Sequence, residues 1–464
     1  HFPEFAVPDR FFLVRFLNEG TSFSAYKETF YEGISHLLPG HYFVVANGGP
    51  VEQKSYYRIN PEYKNPPPSR MAANEFSDLL QDSIRLRHRS DVPVGSCLSG
   101  GLDSSTIVGL ATRASSTPVH TFSCVYPEHP YADESEYIEA NIEHFHCQSK
   151  TVTPGFEDFI AAVRRATWEQ DGPTIGPLVL SQRAVMELAS AEVRVLLDGQ
   201  GADEVLGGYH WFFEAKLRSL AREFVEAPSV MKFLGLWRQK RLQEARTGRR
   251  SPQSVRELIG RMRSAGEPHF DARTTAFSSA LSEQEPFPDD DLNSLLLEQV
   301  RVQLGDILHC EDRSSMAVSV ETRLPYLDYR LVDYAFSLPH AYKIRGGKTK
   351  VLLHRLAQDI LPEKVYRRRD KMGFGTPGRS WFGQKESVDY MGSVLHDRHH
   401  PIFSYLSAKK RARIEAIWAR MNDGDLISEG DESDVWRIMT TCLWLEGLRD
   451  PDSIQIQIHA SCPG

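Results

Sequence analysis

The chain has 464 residues, a formal net charge of −8, 41% hydrophobic and 25% charged residues. That length allows two or three domains and a sizeable buried core, and the composition is that of an ordinary globular protein. The acidic balance argues against general nucleic-acid binding, which needs an excess of Lys and Arg, and no apolar run reaches the roughly 18 residues that a membrane span requires.

The opening HFPEFAVPDRFF has no Met and no basic leader, so it reads as a cut end without a signal peptide. The cysteines Cys97, Cys124, Cys147, Cys310, Cys442 and Cys462 form no CxxC pair. They read as free thiols in a reducing compartment, which sets the expected location as cytoplasmic. Residues 1–58 are dense in aromatics. A Pro-Gly turn leads into alternating HYFVV and an Asn-Gly-Gly turn into VEQKSYYRI, which predicts a β-hairpin. NPEYKNPPPS (60–69) follows, and its three consecutive prolines predict a stiff linker over 59–70.

After the linker, Phe76, Leu79, Leu80 and Ile84 repeat at helical spacing. VPVGSCL predicts a strand and SSTIVGLATRA a helix. VHTFSCVY is the next strand, followed by a helix over DESEYIEANIEHF capped by Asp133. A third strand is expected at 149–153, a helix at 155–168 and a fourth strand in EVRVLLDG (192–199). Strands alternating with helices predict an α/β fold, a parallel sheet with helices on both faces. Residues 211–300, rich in Arg, Glu, Leu and Trp, read as a helical insertion, and the basic run at 238–250 as a solvated helix surface. No internal repeat is visible.

SGGLDSS (99–105) sits where the first strand of the alternating region meets a helix. Ligands of such sheets bind beyond the carboxyl ends of the strands. Gly100 and Gly101 let backbone approach a ligand, and the exposed N–H groups and helix dipole favour a phosphate. Ser99, Ser104 and Ser105 can donate hydroxyl hydrogen bonds. Asp103 repels a bare phosphate, but makes sense if it holds a Mg²⁺ that bridges to the phosphate oxygens. The bland rival is a Gly-rich turn capped by Asp103 and the serines. GGKT (346–349) lacks the first glycine of a Walker A loop, since Tyr342 stands there, and GQGADE (199–204) lacks the third glycine of a dinucleotide fingerprint.

SGGLDSS resembles the pyrophosphate loop of the N-type ATP pyrophosphatases. With LLDGQGADEVLGGY (196–209), DRSSMAVSVETRLPYLD (312–328), GGKTKVLLH (346–354) and RRRDKMGFGTP (367–377), in this order, the chain resembles the synthetase domain of glutamine-dependent asparagine synthetases of class B type. The fold implied is adenine nucleotide alpha hydrolase-like. Residues 1–58 resemble the last part of the family's Ntn-type glutaminase domain, 71–450 its synthetase domain, and 451–464 form a tail.

The resemblance implies a carbon–nitrogen ligase. A carboxylate, aspartate by default, attacks the α-phosphate of ATP with Mg²⁺, pyrophosphate leaves, and ammonia derived from glutamine converts the acyl-adenylate to an amide and AMP. It also assigns residues. Ser99, Gly100, Gly101, Asp103, Ser104 and Ser105 would cradle the pyrophosphate, and Asp103 and Asp203 would share the metal. Cys97, Cys124, Asp198 and Gly199 would hold the adenosine. Lys371 would neutralise phosphate charge, with Arg313 near the nucleotide. Each has a plainer rival: Lys371 lies in a basic run, Asp203 and Glu204 could be an acid pair favoured by a helix dipole, and Glu321 and Asp328 could brace a core loop. Expected partners are a small carboxylate and ammonia or glutamine, without nucleic acid or membrane, and a homodimer is left open.

Three departures bear on the substrate. Gln200 stands where the best-known members carry Glu, and Gln takes no proton, so Glu204 is the alternative base. Asp198 replaces the usual Ser. DGPTIGPLVLS (171–181) holds no Arg or Lys where the asparagine enzymes read the α-carboxylate of aspartate. The family's glutaminase nucleophile is an N-terminal cysteine, whereas the first cysteine here is Cys97, so this chain is not expected to hydrolyse glutamine. The rivals kept open are the same adenylation on a sugar uronate, a cell-wall precursor or an internally cyclising acid as in β-lactam formation, and a non-catalytic nucleotide-binding regulator; the lack of paired catalytic cysteines and of a basic face speaks against an enzyme that thiolates RNA.

Overall fold

In the computed structural model, which describes residues 6–20, 27–46, 49, 52–59, 67–156, 158–209, 212–213, 292–368 and 375–449, the aromatic-rich opening forms helix α1 (Arg10–Glu19). Asp9 caps it by accepting from the Phe12 amide. The expected hairpin follows as β1 (His41–Val44) antiparallel to β2 (Glu52–Ser55). Helix α2 (Ser69–Arg87) buries Phe76, Leu80 and Ile84, the stripe its period predicts.

A five-stranded, all-parallel sheet comes next. Strand β3 (Val94–Cys97) leads through α3 (Leu102–Ala114) to β4 (His120–Cys124), and α4 (Ser135–Phe145) leads to β5 (Gln148–Val152). Helices α5 (Phe159–Glu169) and α6 (Leu178–Ser190) return the chain to β6 (Val195–Leu197), which is followed by the short α7 (Ala202–Leu206). A last strand, β7 (Glu321–Arg323), pairs with β6. The order across the sheet is β5–β4–β3–β6–β7. From β3 the chain builds outward through β4 to β5, then crosses back to lay β6 on the other side of β3. That reversal makes β3 and β6 the switch point of the sheet, where a crevice opens at the carboxyl ends of the strands.

The expected α/β architecture is therefore present, with three local corrections. Asp133 is not the cap of α4: Glu134 holds that position, and Asp133 instead accepts from the Tyr126 amide and the Ser135 hydroxyl. Helix α5 starts later than the composition suggested, at Phe159, because Asp158 caps it through the Ala161 amide. Strand β7 was not expected. Its three residues, Glu-Thr-Arg, carry no apolar alternation, and it exists because the chain returns beside β6, with Glu321 donating its amide to the Arg194 carbonyl at 2.9 Å. Of the predicted insertion, 214–291 lie outside the described residues, and Leu292–Arg301 is a helix. The tail 451–464 and most of the proline linker also lie outside them.

One core cluster unites Phe12, Leu13, Phe16 and Phe30 with Phe159, Trp436, Met439 and Trp444. Phe30 meets Phe12 and Phe16 edge-on with ring centroids 5.1 Å apart in both pairs. The N-terminal helix thus shares its interior with the C-terminal helices. A second cluster packs α2, α3 and α7 around Leu197, Tyr326 and Phe336. Leu196, fully buried at the centre of β6, fixes the strand that carries the switch point. Leu196→Ala is expected to cost about 2–5 kcal/mol, read as a fall of several degrees in the thermal midpoint, whereas the same change at exposed Leu426 is expected to leave it in place.

Candidate active site

The turn after β3 and the turn after β6 face each other across the switch point. In the first, Ser99 donates its amide to the Ser104 hydroxyl at 3.1 Å, and the two hydroxyls lie 3.0 Å apart. Gly100 holds φ +73°, a left-handed value suited to glycine. Gly101 is the N-cap of α3 and offers no side chain, so no side-chain cap covers the first amides of the helix. An uncapped helix start beside two hydroxyls is an anion site in its physics. Ser105, in contrast, is fully buried, its hydroxyl turned away from the open loop and without a hydrogen-bond partner among the described residues.

The centre of the crevice is a charge cluster. The Lys350 ammonium bonds Asp103 and lies 2.8 Å from Asp203. Lys350 is 4% exposed and the two carboxylates are each 19% exposed. Burial pulls the lysine toward its neutral form, but attraction from Asp103 and Asp203 outweighs that and holds it charged, above its usual range. Lys350 itself has φ +47°, so the backbone is bent sharply to deliver this side chain. Gly208 closes the floor: a Cβ there would fall 1.8 Å from an Asp203 oxygen and 2.1 Å from the Lys350 Cε. Tyr326 donates to the Asp103 carbonyl at 3.1 Å from below.

Asp103 and Asp203 are thus brought together as the motifs implied, and Lys350 joins them unforeseen. It stands one residue beyond the dismissed GGKT stretch, and a lysine following a Gly-Gly turn in an otherwise apolar environment was the available signal. Glu204 is 1% exposed and accepts from the Tyr209 hydroxyl. Burial first, and Asp203 second, push its carboxyl above the usual range.

The turn after β6 contains a second acid. Asp198 accepts from the Gly199 and Gln200 amides and from the Cys97 thiol. Beside it lies Glu311 on the Gln303–Met316 helix, 1% exposed and close to the Thr322 hydroxyl. Burial raises the affinity of both carboxyls for protons, and the neighbouring Asp198 raises that of Glu311 further. Burial also pushes up the Cys97 and Cys124 thiols, to about 11 for Cys124, which keeps both neutral. Cys97 and Cys124 end the adjacent strands β3 and β4. Arg313 pairs instead with Asp171 at 2.6 Å, on a half-exposed surface. Lys371 lies outside the described residues. Glu321 pairs with Arg323, while Asp328 caps the Tyr329–Phe336 helix and binds Arg87 and Arg330, so both brace the fold.

Comparison with known proteins gives a match to the asparagine synthase family over residues 75–446. Among curated relatives, asparagine synthetase [glutamine-hydrolyzing] 1 of Bacillus subtilis is 29% identical over 388 residues, covering 78% of this chain and 58% of the relative. Putative asparagine synthetase [glutamine-hydrolyzing] 2 of Methanocaldococcus jannaschii is 38% identical over 158 residues, 34% of this chain and 30% of the relative. Amidase chyE of Penicillium rubens is 23% identical over 437 residues, 79% of this chain and 63% of the relative. The chain spans less than two thirds of the length of these relatives.

The Asp198–Glu311 pair makes stability depend on pH in a defined direction. A raised folded-state pKa means that the folded protein keeps a proton which the unfolded chain releases above about pH 4.3. Stability therefore falls as pH rises from there through the folded value. Glu311→Gln removes that term. Its thermal midpoint is expected to gain on the parent's progressively between about pH 5 and pH 8, and a constant offset across that range would refute the ionisation.

Proposed function

Because the chain belongs to the asparagine synthase family, we propose that it uses ATP to activate a carboxylate as an acyl-adenylate and passes the acyl group to ammonia. The observation that carries this reading is the Lys350–Asp103–Asp203 cluster lying against the uncapped start of α3 at the switch point.

The chemistry follows from charge. A substrate carboxylate oxygen attacks the α-phosphorus, and the bond from that phosphorus to the bridging oxygen breaks. Negative charge grows on the departing pyrophosphate, where preorganised donors lower the barrier most. Ser99, Ser104 and the first amides of α3 supply neutral donors, and Lys350 supplies a fixed cation. Asp103 and Asp203 hold that cation in place. The same two carboxylates fit a magnesium ion. Among the described residues, no group of three or more His, Cys, Asp or Glu could hold a metal, and Mg²⁺ commonly takes one or two carboxylates and completes its shell with phosphates and water. Bound there, it would supply further neutralisation of phosphate charge. In the second half the ammonia nitrogen attacks the acyl carbon, AMP leaves, and one proton is released. Gln200 can donate or accept a hydrogen bond in this step but cannot take the proton.

Aspartate is the default acid, supported by the names of the asparagine synthetase relatives. A second reading, the same adenylation of a different carboxylate, is favoured by Gln200, by the lack of Arg or Lys in 171–181 and by the engagement of nearby Arg313 with Asp171. The amidase-named relatives fit that reading too.

The test is pyrophosphate release by the purified chain with Mg-ATP, ammonium and a panel of acids led by aspartate. Turnover with aspartate is expected, falling at least about a hundredfold in Asp103→Asn and in Lys350→Met. Release with another acid alone would keep the chemistry and move the substrate. Nucleotide binding with no AMP from any acid would favour a non-catalytic regulator.

A further inference from the structure

One short stretch, Ala132–Ile138, touches several parts of the phosphate-binding machinery at once. Gly100 sits directly on the first turn of α4: a Cβ there would fall 2.8 Å from the Tyr137 Cβ and 3.0 Å from the Ile138 amide nitrogen. The Arg368 guanidinium stacks on the far side of this support, 4.0 Å from the centre of the Tyr137 ring. The same guanidinium forms an ion pair with Glu134 at 2.6 Å, and both side chains are 7% exposed. Lys364 adds an ion pair to Glu136 at 2.9 Å on the same turn. Gly375 also rests on this stretch, since a Cβ there would lie 2.6 Å from the Ala132 carbonyl oxygen. Thr376 then joins the buried Ser181 hydroxyl at 3.2 Å, and Ser181 bonds Tyr126.

These contacts share a purpose that the fold alone does not require. A buried arginine stacked on an aromatic ring and paired with a carboxylate is costly to desolvate and permissive of few geometries. Here it clamps the one ring whose Cβ sets the seat of Gly100. We propose that Arg368 is a positioning residue for phosphate binding: acting through Tyr137 and Glu134, it fixes where the Gly100 turn of the phosphate loop sits relative to α4. Arg368 touches no substrate in this scheme. The inference rests on the reading of the crevice as an ATP site.

The test is calorimetric titration of the full chain with Mg-pyrophosphate and, separately, with AMP, which has no β- or γ-phosphate. In Arg368→Met the dissociation constant for Mg-pyrophosphate is expected to rise about tenfold, a change of about 1.4 kcal/mol, with that for AMP within about twofold. Arg368→Lys keeps the charge for Glu134 but loses the planar stack, and is expected to fall between parent and Arg368→Met. If Arg368→Met does not fold, Arg368→Lys carries the test through the same selective loss. Unchanged pyrophosphate binding in a folded variant overturns the proposal. So does an equal loss for both ligands, which would mark a merely structural residue. If the parent chain binds neither ligand, the nucleotide reading itself fails, and this outcome is separate from the other two.

Discussion

The structure turns on one lysine held between two carboxylates. Two acids of like charge a few ångströms apart would repel strongly away from bulk water, and Asp103 and Asp203 come from turns that follow different strands. Lys350 makes their approach possible. Almost every local feature of the crevice serves that geometry. The backbone at Lys350 enters the left-handed region to aim the side chain, Gly208 gives up its Cβ so that the chain can pass beneath, and Tyr326 holds the Asp103 carbonyl. Removing one member of such a buried set leaves an uncompensated charge, which typically costs about 3–5 kcal/mol.

The cluster also explains why the topology matters. The order β5–β4–β3–β6–β7 sets β3 directly beside β6, so the turns after these two strands lie against each other at the same end of the sheet, and a Cβ on Gly199 would fall 3.1 Å from the Ser104 amide nitrogen. Gly101 leaves the amides at the start of α3 without a side-chain cap, and the cluster places a cation beside them. An anion entering there meets donors already oriented, which avoids the cost of reorganising them.

The sequence made much of this legible, and the reasons differ by element. The strands β3, β4 and β6 were readable because parallel strands buried on both faces are short apolar runs, and SGGLDSS because glycines, hydroxyls and an acid coincide at a strand-to-helix junction. β7 was not, since three polar residues hold no periodicity and their pairing is a tertiary fact. Lys350 was hidden because its role depends on a backbone angle and on two acids far away in the chain. Nothing in the sequence around Glu311 singles it out, and only packing shows that it is buried beside Asp198. The aromatic residues at the start suggested a separate unit, yet Phe12, Phe16 and Phe30 complete a core built mainly from the C-terminal helices.

Gln200 takes on meaning within this charge balance. Asp103, Asp203 and Lys350 sum to −1, and burial behind the turn favours the neutral forms of Asp198 and Glu311. Asp198 directs its oxygens to the Gly199 and Gln200 amides, so it works as the internal cap of a tight turn rather than as an open base. A Glu at position 200 would add another negative charge to the mouth of the crevice, whereas Gln keeps the hydrogen-bonding reach without the charge. The phosphates of the proposed nucleotide would therefore meet fewer fixed negative charges here than beside a glutamate. Under the proposed reaction the difference would lie in the second half, where the attacking ammonia must lose a proton and position 200 offers an amide that cannot take it.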